Sequence, residues 1–342
     1  MASAVPETVR TLADDAALFG ATEIERISQN IGVQQRHVVA GGMCTSDLCY
    51  AAAERLLESL AWDKGSVDVL LVVTQTPDYV MPATACTLQH RLGLGKHCAA
   101  LDVNQGCAGY VYGMWLAAHL VAAGGVRRAL LLVGDTISRV VSPLDRTVTS
   151  LFGDAGTATA IEFDETAPAM HFELGADGSG QKHLTVPAGA FRAPHTAATA
   201  ARSDRGGGNS RSDEDLFMDG GEVFTFTLRE VPPLVKSILA AAGESVDTID
   251  AFVFHQANRF MLNYLAKRLA LPADKLVVGL TNFGNTSSAT IPMALTTNLR
   301  ETLVDRPQRL LLAGFGAGFS WAATVLSCGP LVAPPLLVVP AG

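Results

Sequence analysis

The chain has 342 residues, 49% of them apolar and 17% charged, with 25 Lys and Arg against 33 Asp and Glu for a formal charge of −8. It is too apolar to be disordered and too polar to be embedded in a bilayer, and it is long enough to bury one large core or two ordinary domains. No basic block is present, so neither nucleic acid nor a membrane is an expected partner.

The opening MASAVPETVRTLADDAALFG carries acidic groups and no long apolar core, which argues against a signal peptide and for the cytoplasm. It also shows no clear first β-strand. Next, AAAERLLESL has apolar residues at helical spacing and leads to DVLLVVT (68–74), an aliphatic run of the kind found in strands covered on both faces. Helix followed by buried strand is an α/β pattern. DVNQGCAGYVYGMWLAAHLVAAG reads as a small-residue loop opening an apolar helix, and ALLLVGD (129–135) as a second buried strand. In LFGDAGTATAIEF, Asp154 is expected to hold a turn rather than do chemistry. The polar run Ala201–Asp215, with Gly206, Gly207 and Gly208, reads as a flexible insertion.

The helix–strand unit then returns. VPPLVKSILAAAGESVDTIDAFVFH repeats the earlier layout with Asp250 opposite Asp68, and RLLLAGFG repeats ALLLVGD with Gly314 opposite Gly134, offsets of 182 and 180. Two similar α/β halves follow, residues 1–165 and 215–342, joined by a connecting segment over 166–214 that carries the insertion. The second half has its own pivot, TNFGNTSSATIPMALTTNL, which sets Ser287 opposite Cys107. Loops from both halves would meet at the pseudo-twofold axis, where an active site is expected. The tail LVAPPLLVVP is broken by prolines and far short of the ~20 residues needed to span a bilayer; it reads as a packed strap or a frayed end.

Cysteines stand at 44, 49, 86, 98, 107 and 328 without CxxC or Cys/His spacing, so neither a disulfide scaffold nor a metal site is expected, and no bound cofactor is implied. Cys107 alone sits between glycines just before a helix, where free amides and the helix dipole favour a thiolate. A buried structural cysteine would also suit the position. His255 ends the strand IDAFVF, at the rim where ligands bind in α/β folds, and could donate a hydrogen bond or exchange a proton. Asn285, in FGNTSS, could set a turn or orient a substrate oxygen, but its amide cannot act as a base. GFGAG lacks a helical phosphate-binding context; close backbone approach to the cysteine is its better use, with a turn amide facing an oxyanion.

With these residues in view, the chain resembles the ketoacyl synthase III branch of the thiolase superfamily from about Glu7 to Gly329, through TPD at 76–78, DVNQGCAGYVYG at 102–113, DR at 145–146, LFGDAG at 151–156, HQAN at 255–258, NFGNTSSATIP at 282–292 and GFGAGFSW at 314–321. The resemblance implies a five-layered αβαβα fold of duplicated halves, a homodimer, and acyl-CoA or acyl-carrier-protein thioesters as substrates. The family's catalytic triad falls on Cys107, His255 and Asn285. Its oxyanion hole falls on the amides of Cys107 and Ala317. Phe315 and Gly316 are implied to line the substrate pocket, with Met81 reaching it from the partner subunit, and Arg146 and Arg259 are candidates for contacting the carrier. The implied reaction is ping-pong: an acyl group passes to Cys107, then condenses with a malonyl thioester that loses carbon dioxide. The alternatives are an acyltransferase acting without decarboxylation and a non-catalytic subunit of a heterodimeric synthase; the complete triad speaks against the latter. Three departures from the family pattern stand out: Arg26 stands where a coenzyme-stacking tryptophan is common, Asn104-Gln105-Gly106 replaces small residues before the cysteine, and Ala317 replaces a glycine.

Overall fold

Alternate residues of each central strand face different apolar layers, and the architecture follows from that alternation. The computed structural model describes residues 1–341. Its ten principal strands are β1 (Ala2–Pro6), β2 (Val69–Val73), β3 (Ala99–Val103), β4 (Arg128–Asp135), β5 (Ala155–Glu162), β6 (His171–Ala176), β7 (Ala251–Phe254), β8 (Gln308–Gly316), β9 (Ser320–Cys328) and β10 (Leu337–Val339). They form a six-stranded sheet in the order β10-β1-β5-β4-β2-β3 and a four-stranded sheet in the order β7-β8-β9-β6. The six principal helices are α1 (Thr45–Leu60), α2 (Thr84–Arg91), α3 (Gly109–Ala122), α4 (Gly220–Ala242), α5 (Arg259–Arg268) and α6 (Thr290–Thr297).

Leu70, Val72, Leu130 and Leu132 point outward onto Cys49, Ala52 and Leu56 of α1. Their neighbours Leu71, Val73, Leu131 and Val133 point inward, into a core shared with Tyr110 and Val111 of α3, Ile291 and Leu295 of α6, and Val253, Leu310 and Leu312 of the second sheet. On the far side of that sheet Phe252, Phe254, Leu311 and Ala313 meet Val231, Leu234 and Val235 of α4 and Leu262 and Leu265 of α5. The result is a thiolase-like five-layered αβαβα fold, with α3 and α6 enclosed between the sheets. Helix α3 lies hard against the first sheet because two of its residues lack side chains. A Cβ on Gly109 would come within 2.6 Å of Val73 Cγ1, and one on Gly113 within 2.7 Å of Leu131 Cδ1.

The duplication extends to single bonds. Asp68 accepts from the amides of Arg127 and Arg128 at 2.7 and 2.9 Å, and Asp250 accepts from the amide of Arg309 at 2.7 Å. Each carboxylate thus ties the entry of one central strand to its neighbour in its own half.

Several local expectations change. Ala2–Pro6 is a strand, paired antiparallel with β5 and parallel with β10, although the opening sequence showed no clear strand. The apolar tail is the packed strap, entering the first sheet as β10. His171–Ala176, inside the 166–214 span read as connecting, is the edge strand of the second sheet, pairing with β9. The triple-glycine stretch closes a short hairpin, Ser203–Asp204 with Ser210–Arg211. That hairpin is docked by an Arg211–Asp145 ion pair at 3.0 Å and by Ser142 Oγ donating to the Ser210 carbonyl at 2.7 Å. Among the described residues no helix is long and apolar enough to cross a membrane.

Candidate active site

Cys107 lies in the turn between β3 and α3, closed by Gly109 N–H donating to the Gly106 carbonyl at 2.7 Å. The turn sits directly on β8. A Cβ on Gly314 would stand 2.8 Å from the Cys107 carbonyl oxygen, and one on Gly316 would stand 2.8 Å from Sγ. The glycines of GFGAG therefore serve close approach to the cysteine. Burial outweighs the helix terminus electrostatically: the Cys107 thiol is pushed up to about 12, even though the Ala317 and Cys107 amides and the Ser287 side chain favour the thiolate. The resting group is a thiol, not the thiolate expected from the sequence.

His255 continues the β7 ladder, its N–H donating to the Ala313 carbonyl at 2.8 Å, and its ring meets Phe315 edge-on at 5.7 Å. Nδ1 is 2.7 Å from Thr290 Oγ1 at the start of α6. Burial lowers the ring to about pKa 3, so the imidazole is neutral at physiological pH. The rest of HQAN is structural. Gln256 braces the turn by donating to the Phe254 carbonyl and accepting from Gly279 N–H, and Asn258 caps α5 by accepting from the Met261 amide at 2.8 Å.

Asn285 is placed by Gly284, whose φ of +68° favours glycine, and by a bridge to Phe152. Its N–H donates to the Leu151 carbonyl and its carbonyl accepts from Gly153 N–H. The segment LFGDAG therefore holds FGNTSS in place. Asp154 accepts from Val39 N–H, Ser138 N–H and Ser138 Oγ, a turn-holding role. The Asn285 amide has one orientation: Oδ1 accepts from Ser287 N–H at 2.9 Å, which turns Nδ2 towards His255 Nε2, 3.4 Å away.

Cys107, His255, Asn285, Phe315 and Gly316 together line a cavity of about 70 Å³. A second cavity of about 370 Å³ is lined by Cys107, Ala317, Gln75, Thr76, Asn104, Ile137, Val140 and Phe152 among others. Cys107, Leu184 and Phe152 belong to both. Met81 lines neither and is 80% exposed, beside Tyr79 and Val80. Arg146 pairs with Glu23 at 3.5 Å, and Glu23 also holds Arg26 at 2.8 Å. Arg259 is half-buried, donating to the Gly32 carbonyl and to Thr281 Oγ1.

Sequence reasoning missed Asp135, which stitches the halves together beside the cysteine. One oxygen accepts from Gln75 N–H at 2.8 Å and Thr74 Oγ1 at 3.1 Å, and the other from Ser288 Oγ at 2.6 Å and Ser288 N–H at 3.2 Å. The signal was an acidic residue ending an otherwise apolar strand. Thr290 was missed as well.

A thiol shared by two cavities, one of them also lined by a neutral imidazole and an oriented amide, is suited to acyl transfer through a thioester. The profile described as 3-oxoacyl-[acyl-carrier-protein (ACP)] synthase III matches residues 101–178, and that of its C-terminal part matches residues 239–328. A β-ketoacyl-[acyl-carrier-protein] synthase III from Xanthomonas axonopodis pv. citri is 37% identical over 95% of both chains. The crystal structure of a 3-oxoacyl-(acyl-carrier protein) synthase from Burkholderia xenovorans LB400 is 44% identical, with a TM-score of 0.93 over 99% of this chain and 95% of that one. The priming β-ketosynthase of the R1128 polyketide biosynthetic pathway is 26% identical with a TM-score of 0.80, covering 97% and 95%. The chain belongs to the β-ketoacyl-[acyl-carrier-protein] synthase III family of the thiolase superfamily, whose activity is condensation.

Proposed function

We propose that this protein catalyses a decarboxylative Claisen condensation between an acyl group carried on Cys107 and a malonyl thioester. The observation that carries the reading is the Asn285 amide, locked by Ser287 N–H so that Nδ2 points beside His255 Nε2. Two polar groups aimed at one point suit a thioester carbonyl that becomes an enolate oxygen when carbon dioxide leaves.

In the first half-reaction Cys107 attacks the acyl thioester of coenzyme A or an acyl carrier protein. The amides of Cys107 and Ala317 hold the tetrahedral oxyanion, and the thiol proton goes to the departing thiolate. With the thiol pushed up to about 12, ionisation accompanies attack instead of preceding it. The acyl chain then occupies the larger cavity, against Ile137, Val140 and Phe152. In the second half-reaction the malonyl thioester lies in the smaller cavity, its carbonyl between His255 and Asn285, and the carbanion attacks the acyl-Cys107 carbonyl. Cys107 thiolate leaves and is reprotonated.

The working form is a homodimer. The edge strand β3 with Leu101 exposed, and the apolar Tyr79–Val80–Met81 loop, favour pairing with a second copy, whose Met81 would close the larger cavity. The test offers acyl-CoA and acyl-carrier thioesters with and without malonyl thioester, and reads acylated protein by intact mass together with carbon dioxide and 3-oxoacyl product. Wild type is expected to acylate with the acyl thioester alone and to condense only when malonyl thioester is added, and Cys107→Ala to do neither. Acyl transfer to oxygen or nitrogen acceptors without carbon dioxide release would overturn the reading.

A further inference from the structure

A neutral imidazole has one N–H, so the face His255 turns to the cavity depends on which nitrogen carries it. If Nε2 is protonated the ring is a donor to a substrate oxygen; if it is bare the ring repels that oxygen. The choice is made on the buried side, at Nδ1. There the Thr290 hydroxyl stands 2.7 Å away, and the same hydroxyl lies 3.1 Å from the Ser287 carbonyl. Two arrangements are open. Either the ring proton sits on Nδ1 and donates to Thr290 or to the Ser287 carbonyl, which also contacts the ring, or Thr290 donates to Nδ1 and leaves the ring proton on Nε2.

We propose that Thr290 is a positioning residue that sets the tautomer of His255, donating to Nδ1 so that Nε2–H faces the cavity. The inference rests on the condensation reading above. The separation on the cavity side favours this arrangement. On the cavity side Asn285 Nδ2, fixed as a donor by Ser287 N–H, stands 3.4 Å from Nε2 and 3.4 Å from the Ala257 carbonyl. A bare Nε2 facing that donor would draw it to the ~3.0 Å of an ordinary N–H···N bond. A 3.4 Å separation fits two donors side by side, awaiting a shared acceptor. Thr290→Val keeps the side-chain shape but removes the only hydroxyl in contact with Nδ1, leaving the Ser287 carbonyl as the nearby polar atom. A carbonyl only accepts, so the ring proton moves to Nδ1 and Nε2 becomes bare.

The test is read on histidine-labelled protein by long-range ¹H–¹⁵N spectra at pH 7, with His255 assigned from the signals lost in His255→Gln. Wild type and Thr290→Ser are expected to show Nε2–H, and Thr290→Val and Thr290→Ala to show Nδ1–H. Nδ1–H in wild type, or Nε2–H retained in the variants, overturns the proposal. In parallel, Thr290→Val should release carbon dioxide from malonyl thioester about 100-fold more slowly, the loss of one oxyanion donor. Its acylation of Cys107 should stay within about threefold of wild type, and Thr290→Ser should match wild type in both. Equal losses in acylation and decarboxylation would mean that the hydroxyl only supports packing. A wild type that releases no carbon dioxide would sink the malonyl reading while the spectra still decide the tautomer.

Discussion

Gly316→Ala adds one methyl where β8 touches the cysteine. The new Cβ would stand 2.7 Å from Cys107 Cβ and 2.8 Å from Sγ, and ordinary carbon contacts need about 3.5–4.0 Å. The sulfur or the strand must therefore give way by roughly 0.7 Å. Neither moves freely: Cys107 is part of a tight turn, and Gly316 pairs with Ser320 across β9. Overpacking of this kind costs about 1–3 kcal/mol, a fall of a few degrees in Tm. The larger effect is on reaction geometry, where a misplacement near 1 Å slows attack by about 100-fold. The assay is the time course of Cys107 acylation by intact mass, beside a thermal melt. Gly42→Ala, with nothing within 4 Å of its new Cβ, is the control. Wild-type acylation and melting in Gly316→Ala would refute the claim that close backbone approach is what this glycine provides.

Two further outcomes follow from burial. His255 has a folded pKa of about 3, below the ~6.5 of an exposed ring, so under pH 6.5 the unfolded chain takes up a proton that the folded protein refuses. Its stability contribution is full above pH 6.5 and is lost as pH falls towards 3, by about 2 kcal/mol at pH 5. Urea unfolding of His255→Gln should lack that part of the loss between pH 7 and 5, and parallel pH profiles would contradict it. For Cys107, with its thiol near 12, alkylation by iodoacetamide should rise with pH without an inflection between pH 5 and 8; a plateau in that window would reveal a stabilised thiolate.

The sequence carried most of the frame. The echo at offsets near 180 is visible because both halves keep the aliphatic strand and its leading aspartate, and the observed bonds of Asp68 and Asp250 give that aspartate a common purpose. Cys107 just before a helix and His255 at the end of a strand stood out by position, whereas Asn285, on an isolated bridge to Phe152, was marked by the family resemblance. What local pattern could not give was burial. The helix-terminus argument placed Cys107 correctly but missed its protonation state, since desolvation depends on β8 and the second half packing over the sulfur. Strand β1 was missed because Ala-Ser-Ala-Val-Pro has weak β propensity; its pairing with β5 and β10 supplies what the residues lack. The triple glycine reads locally as slack, but Asp145 and Ser142, some sixty residues earlier, pin the hairpin it forms.

The enclosed helices α3 and α6 also constrain how this chain acquires its shape. Each has apolar side chains facing both sheets, so either half folded alone would leave a greasy face open to water. The halves resemble two domains in outline, yet they cannot behave as independent folding units: unfolding should be a single cooperative event, and fragments expressed separately should aggregate unless mixed. Recovery of acylation during refolding should then coincide with the burial of Tyr110, because the nucleophile, the histidine and the amide have no common cavity until that middle layer closes.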